Sequence, residues 1–137
     1  MEKNFKTLFA EKGLKMTIQR LAILEYLINT KTHPSAEMVY KYLQKKYPTI
    51  TLSTVYNTLE TLVKKGIIKK IPTFSGISRY DADTTPHIHF VSGHDKNLTI
   101  EDVHDQDLID NIKNAVSQKL NLDIENTNIY LIIENND

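Results

Sequence analysis

Five histidines and no cysteine bound the chemistry open to this 137-residue chain. The histidines are His33, His87, His89, His94 and His104. His87 and His89 stand two residues apart in the β-prone run His87-Ile88-His89-Phe90-Val91. Alternate side chains of a strand share a face, so the two imidazoles are expected to project together while Ile88 and Phe90 face a core. Carboxylates flank them, with Asp81 before the run and Glu101 and Asp102 after it. Imidazole nitrogens mixed with carboxylate oxygens suit Fe(II), Mn(II) or Zn(II). The plainer alternative is two polar residues on the wet face of a strand. Without cysteine there is no disulfide, no thiolate chemistry and no Cys-type structural zinc. No nucleophile, phosphate loop or shaped substrate pocket is legible, so a small metalloenzyme is the weakest reading and the chain is taken as a non-enzyme with no small-molecule substrate.

The zero formal charge hides a division. Residues 1–80 hold fourteen Lys/Arg against five Asp/Glu, a surplus of nine positive charges, and residues 81–137 hold three against twelve, a surplus of nine negative. A basic half points to nucleic acid and an acidic, histidine-bearing half to a cation. No apolar run is long enough to span a bilayer and Met1–Ala10 carries no signal-peptide pattern, so no membrane partner is expected and the cytoplasm is the expected location.

The elements that must position these residues follow from periodicity. Phe5, Leu8 and Phe9 share one side of a short helix ended by Gly13, and Thr17 caps a longer one carrying Leu21, Leu24, Leu27 and Ile28. Pro34 and Ser35 can start a third helix through Met38, Val39, Tyr42 and Leu43 to about Tyr47-Pro48. The fourth occupies Thr51–Gly66, where Val55, Leu59, Leu62 and Val63 form the apolar stripe. Its outer face offers Ser53, Thr54, Tyr56 and Asn57, small polar groups and a tyrosine that can enter a major groove and touch base edges. Lys15, Gln19 and Arg20 stand where they could meet a phosphate backbone. Each is otherwise a solvated polar residue. Ile67–Ile71 and Ser78–Tyr80 then flank a turn at Gly76, a hairpin with Lys69, Lys70 and Arg79 on a basic edge. Helices followed directly by such a hairpin make a winged helix-turn-helix.

The fold class is therefore α+β. A winged helix-turn-helix DNA-binding domain over residues 1–82 precedes a small α/β metal-binding and dimerisation domain over residues 83–137. The latter holds the His-x-His strand, a strand over Leu98–Val103, an amphipathic helix over Gln106–Leu120 with Leu108, Ile109, Ile112, Val116 and Leu120, and a last strand over Asn128–Ile133. So few strands are expected to pair across a two-fold axis as a homodimer.

The stretches TIQRLAILEYL, HPSAEMVYKYL, ITLSTVYNTLETLVKKGII, SRYDAD and HIHF, in this order, resemble the ferric-uptake-regulator (Fur) family, closest to its peroxide-sensing PerR branch. The likeness runs from about Lys15 to Phe90 and more loosely beyond. It implies a homodimeric repressor that binds double-stranded DNA at an AT-rich palindrome when loaded with a divalent metal. It also implies a regulatory site on His33, Asp81, His87 and His89 with one carboxylate of the next strand, Glu101 preferred narrowly over Asp102. One ion would then tie the two halves together, Fe(II) or Mn(II), with Zn(II) possible in vitro. In the peroxide-sensing branch Fe(II) reacts with peroxide and ligand histidines are oxidised, here corresponding to His33 and His87. A glutamate at position 101 would lean the other way, towards iron sensing.

The chain departs from the family pattern where Ser92, Gly93, His94, Asp95 and Glu134–Asp137 stand in place of two Cys-x-x-Cys pairs. No structural zinc held by a set of four cysteines is expected, which leaves apolar burial in strands such as Ile129–Ile133 to hold the dimer. No histidine stands near Asn126–Asn128, where many relatives have a further ligand; His94 and His104 could substitute, but each reads rather as a surface histidine. A winged-helix regulator that has lost its metal response is the alternative function.

Overall fold

The structure, a computed structural model, describes residues 4–93, 97–124 and 127–134. Its backbone clusters into two compact units, Met1–Ile71 with Ser78–Thr84 and Pro72–Ile77 with Thr85–Asp137. No described helix is long and apolar enough to cross a membrane.

The first unit contains α1 (Phe5–Glu11), α2 (Ile18–Asn29), α3 (Ala36–Gln44), α4 (Leu52–Lys64), β1 (Lys69–Ile71) and β2 (Arg79–Asp81). Each helix begins on a residue whose side-chain oxygen accepts a first-turn N–H: Asn4, Thr17, Ser35 and Thr51. The third helix stops at Gln44, although one more turn follows, with the Tyr47 N–H donating to the Leu43 carbonyl just before Pro48. At the end of α4, Gly66 takes φ +71° and the Ile67 N–H returns to the Leu62 carbonyl, turning the chain into β1. Ile23, Leu24, Leu27, Val39, Leu43, Val55, Leu59 and Leu62 interlock in one core, each buried aliphatic stabilising by about 1.5–3 kcal/mol. β1 and β2 pair antiparallel with Lys70 opposite Tyr80. Helix and hairpin are joined by Glu60 on α4, whose carboxylate accepts from Lys70 Nζ at 2.9 Å and from the Tyr80 hydroxyl at 3.1 Å.

The second unit contains β3 (Ile88–Ser92), β4 (Thr99–Val103), α5 (Gln106–Leu120) and β5 (Ile129–Ile133), with the strands ordered β4-β3-β5. β3 runs antiparallel to β4 and parallel to β5. Gly93 leaves β3 at φ +86°, and a Cβ there would come within 2.3 Å of the Asn97 carbonyl oxygen, so only glycine fits this turn. The apolar stripe of α5 is covered only in part. Ile109 is buried, but Leu108, Val116 and Leu120 are exposed, as are Leu131 and Ile133 of β5. Three strands and one helix are too few to cover their own apolar surface.

Candidate metal centre

β3 is the central strand, and this changes the environment expected for its histidines. His87 precedes the strand, which starts at Ile88, yet it is only 5% exposed, and His89 only 1%. Neither lies on a wet face. Phe90, expected in the core, is half-buried while Val91 is buried, so β3 is covered on both faces, at Ile88 on one and at His89 and Val91 on the other.

Within this unit three donor atoms converge. His87 Nε2 lies 2.8 Å from His89 Nε2, and Asp102 Oδ1 lies 3.7 Å from each. Two ligand atoms about 2.1 Å from one cation stand about 3.0 Å apart at a right angle and about 3.4 Å at the tetrahedral angle. The observed separations bracket those values. The tautomer of His87 is set from behind: its Nδ1 donates to the Thr85 carbonyl at 2.6 Å, which leaves the Nε2 lone pair facing His89. With that lone pair accepting, His89 Nε2–H can donate across the 2.8 Å gap, and a cation can take that proton's place. The His89 ring also stacks on Tyr130 of β5, centroids 5.3 Å apart, and His87 stacks on His104 at 4.8 Å. Tyr130 carried no signal in the sequence beyond strand propensity, since only the β3–β5 register sets it opposite His89.

That same kind of register corrects the choice of carboxylate. Asp102 pairs with His89 and its Oδ1 is buried, whereas Glu101 pairs with Phe90 and is exposed. A strand's side-chain period of two sends these neighbours to opposite faces. The structure therefore brings Asp102 to the histidines and leaves Glu101 off them. His94 lies outside the described residues.

In the first unit the remaining two expected ligands meet. His33 Nε2 lies 3.5 Å from Asp81 Oδ2, both side chains largely buried. His33 adopts φ +49°, a left-handed conformation for a residue with a side chain. Each unit thus carries a partial set of nitrogen and oxygen donors with cation-like spacing, and the residues present fit a divalent ion.

The basic face is less open than its composition suggests. On α4, Ser53, Tyr56 and Asn57 are exposed, while Thr54 is half-buried with its hydroxyl 2.9 Å from that of Thr51. Lys15 and Gln19 are exposed, but Arg20 is half-buried and donates Nη1–H to the Lys15 carbonyl at 2.6 Å. On the hairpin, Lys70 pairs with Glu60, and Arg79 turns inward onto the carbonyls of Thr32 and His33 instead of forming a basic edge. Burial lowers the pKa of that guanidinium from its ordinary value.

Comparison with known proteins agrees with this architecture. The profile of the "Ferric uptake regulator family" matches residues 11–132. The peroxide operon regulator of Bacillus subtilis (strain 168) is 41% identical over 81 residues, which cover 59% of this chain and 56% of that protein. The chain thus aligns with little more than half the length of this relative. The ferric uptake regulator of Vibrio cholerae superposes with a TM-score of 0.76 at 28% identity, covering 96% of this chain and 100% of that one. The Campylobacter jejuni peroxide stress regulator superposes with a TM-score of 0.70 at 26% identity, covering 97% and 94%. By its sequence from residue 11 to residue 132, this protein belongs to the ferric uptake regulator family.

Proposed function

We propose that this protein is a metal-gated transcriptional repressor that binds an AT-rich palindromic operator as a homodimer. The observation that carries the proposal is the convergence of His87 Nε2, His89 Nε2 and Asp102 Oδ1 within 3.7 Å of one another. With His33 and Asp81 they supply three imidazoles and two carboxylates, a donor set for Fe(II) or Mn(II), with Zn(II) as an in vitro substitute. Two of these ligands belong to the DNA-binding half and three to the other, so one ion serving all five would link cation loading to the spacing of the recognition helices in a dimer. The cation would supply a positive centre that only deprotonated imidazoles can join. In the DNA-binding half, Lys15, Gln19 and Arg20 approach the backbone while Ser53, Thr54, Tyr56 and Asn57 face the bases, Tyr56 beside a thymine methyl.

Peroxide is favoured over iron as the signal, because the carboxylate beside the histidines is Asp102 and because the Bacillus subtilis relative is a peroxide operon regulator. The uncovered apolar surface of α5 and β5 supports homodimerisation without cysteine-bound zinc.

The test is fluorescence anisotropy with an AT-rich palindrome at fixed moderate salt, with and without Mn(II), for wild type and His89→Ala. Tightening of about tenfold or more in wild type alone, about 1.4 kcal/mol of coupling, is expected. Equal binding by chelated and Mn(II)-loaded wild type would mean a constitutive DNA-binding protein and sink the proposal. Treatment of the Fe(II)-loaded protein with peroxide should release DNA and add oxygen to the peptides containing His33 or His87; release without that mass gain counts against peroxide sensing.

A further inference from the structure

The turn that carries His33 is tied to β2 by three consecutive carbonyls. Arg79 donates Nη2–H to the Thr32 carbonyl at 3.0 Å and Nε–H to that of His33. The backbone N–H of Tyr80 donates to the Pro34 carbonyl at 3.0 Å. His33 sits inside this clamp at φ +49°. For an L-residue such a conformation costs about 1–2 kcal/mol and persists only where its surroundings hold it. It is this conformation that presents Nε2 at 3.5 Å from Asp81 Oδ2. Arg79 and Asp81 are alternate residues of β2 and share a face, so one short strand provides both a donor to the ion and the fork that aims a second donor at it. A lysine could keep the charge but not the two-pronged planar geometry.

We propose that Arg79 is a positioning residue of the cation site, holding the 32–34 turn so that His33 and Asp81 meet the ion together, and that it is not a phosphate contact. The proposal rests on the metal-gated function above and deepens it. Loss of the fork frees His33 to relax to ordinary backbone angles, and its imidazole then leaves the position beside Asp81. The effect falls on cation affinity before any DNA is present.

The experiment uses the full chain as wild type, Arg79→Lys, Arg79→Ala, Tyr80→Phe and His89→Ala. Three quantities are read: Mn(II) affinity of the DNA-free protein from loss of the free-ion EPR signal, thermal unfolding of the metal-free protein, and the salt dependence of DNA binding at saturating Mn(II). Both Arg79 variants should bind Mn(II) about 10–100-fold more weakly, the usual effect of losing a group that orients a ligand. Tyr80→Phe, which destabilises the same strand without touching the clamp, should keep wild-type Mn(II) affinity. The slope of log affinity against log salt should not change in the Arg79 variants, whereas a lost phosphate contact lowers it by about 0.9. Wild-type Mn(II) affinity in Arg79→Lys overturns the proposal, as does a reduced slope, or a Tyr80→Phe loss equal to that of Arg79→Lys. Should Arg79→Ala fail to fold, Arg79→Lys decides alone. His89→Ala separates the two levels: if it binds Mn(II) as wild type does while Arg79→Lys binds it more weakly, the ion shared by all five donors has failed but the role of Arg79 towards His33 and Asp81 stands.

Discussion

The register of β3 against β4 makes a quantitative distinction between two adjacent carboxylates. Asp102→Asn replaces a buried anionic donor, 3.7 Å from both imidazole nitrogens, by a neutral amide of the same size. Glu101→Gln makes the same chemical change on an exposed residue directed away from that face. Groups on opposite faces of a sheet are separated by on the order of 10 Å. In water a unit charge and a divalent cation at that distance interact by about 0.8 kcal/mol, and a Debye length of about 8 Å reduces this to about 0.2 kcal/mol. Glu101→Gln should therefore change Mn(II) affinity by less than about twofold. Asp102→Asn removes a direct donor, and its loss should exceed the roughly 10–100-fold typical of a group that only supports a ligand. The assay is Mn(II) titration of the metal-free protein at constant, mildly alkaline pH by EPR, with thermal unfolding to show that both variants fold. Equal losses in the two variants, or a larger one in Glu101→Gln, would refute the reasoning from register.

Three further outcomes follow from the same structure. Tyr80→Phe removes the hydroxyl that Glu60 accepts at 3.1 Å, and should lower the unfolding free energy by about 0.5–1.5 kcal/mol in urea titration; no change would mean the link between α4 and β2 is idle. The Lys70 hydrogen bond, with Tyr80 second to it in favour, lowers the Glu60 pKa, so its stabilisation is present above the unfolded carboxylate pKa and is lost as pH falls through the folded one. The stability gap between wild type and Glu60→Gln should accordingly be small, since the carboxylate is half exposed, and should close in acid below about pH 4; a gap that widens in acid contradicts the assignment. Finally, Leu131→Asp with Ile133→Asp places charge on two side chains of β5 that are 44% and 41% exposed, and light scattering should then report monomers where the proposed function expects wild-type dimers. A double variant that stays dimeric locates the interface elsewhere.

Much of this was legible without coordinates because it is local. Thr17 and Ser35 cap helices through their own side chains, and the spacing of Val55, Leu59 and Leu62 defines a buried stripe whatever packs on it. The His-x-His pair was visible from the same local spacing, although His87 stands one residue before the strand that carries His89. What the sequence could not decide depends on pairing between distant segments. Whether Glu101 or Asp102 meets the histidines turns on a one-residue register, which hydrophobic pattern leaves open where acidic neighbours look alike. Whether His89 is wet or buried turns on β3 being central, and so on β5 arriving alongside it from much later in the chain. Arg79 shows the limit most clearly. Composition counts it as one more positive charge for DNA, and only the approach of residues 32–34 to β2 converts it into a donor for two backbone carbonyls, because a guanidinium goes where the geometry of unsatisfied acceptors matches its fork.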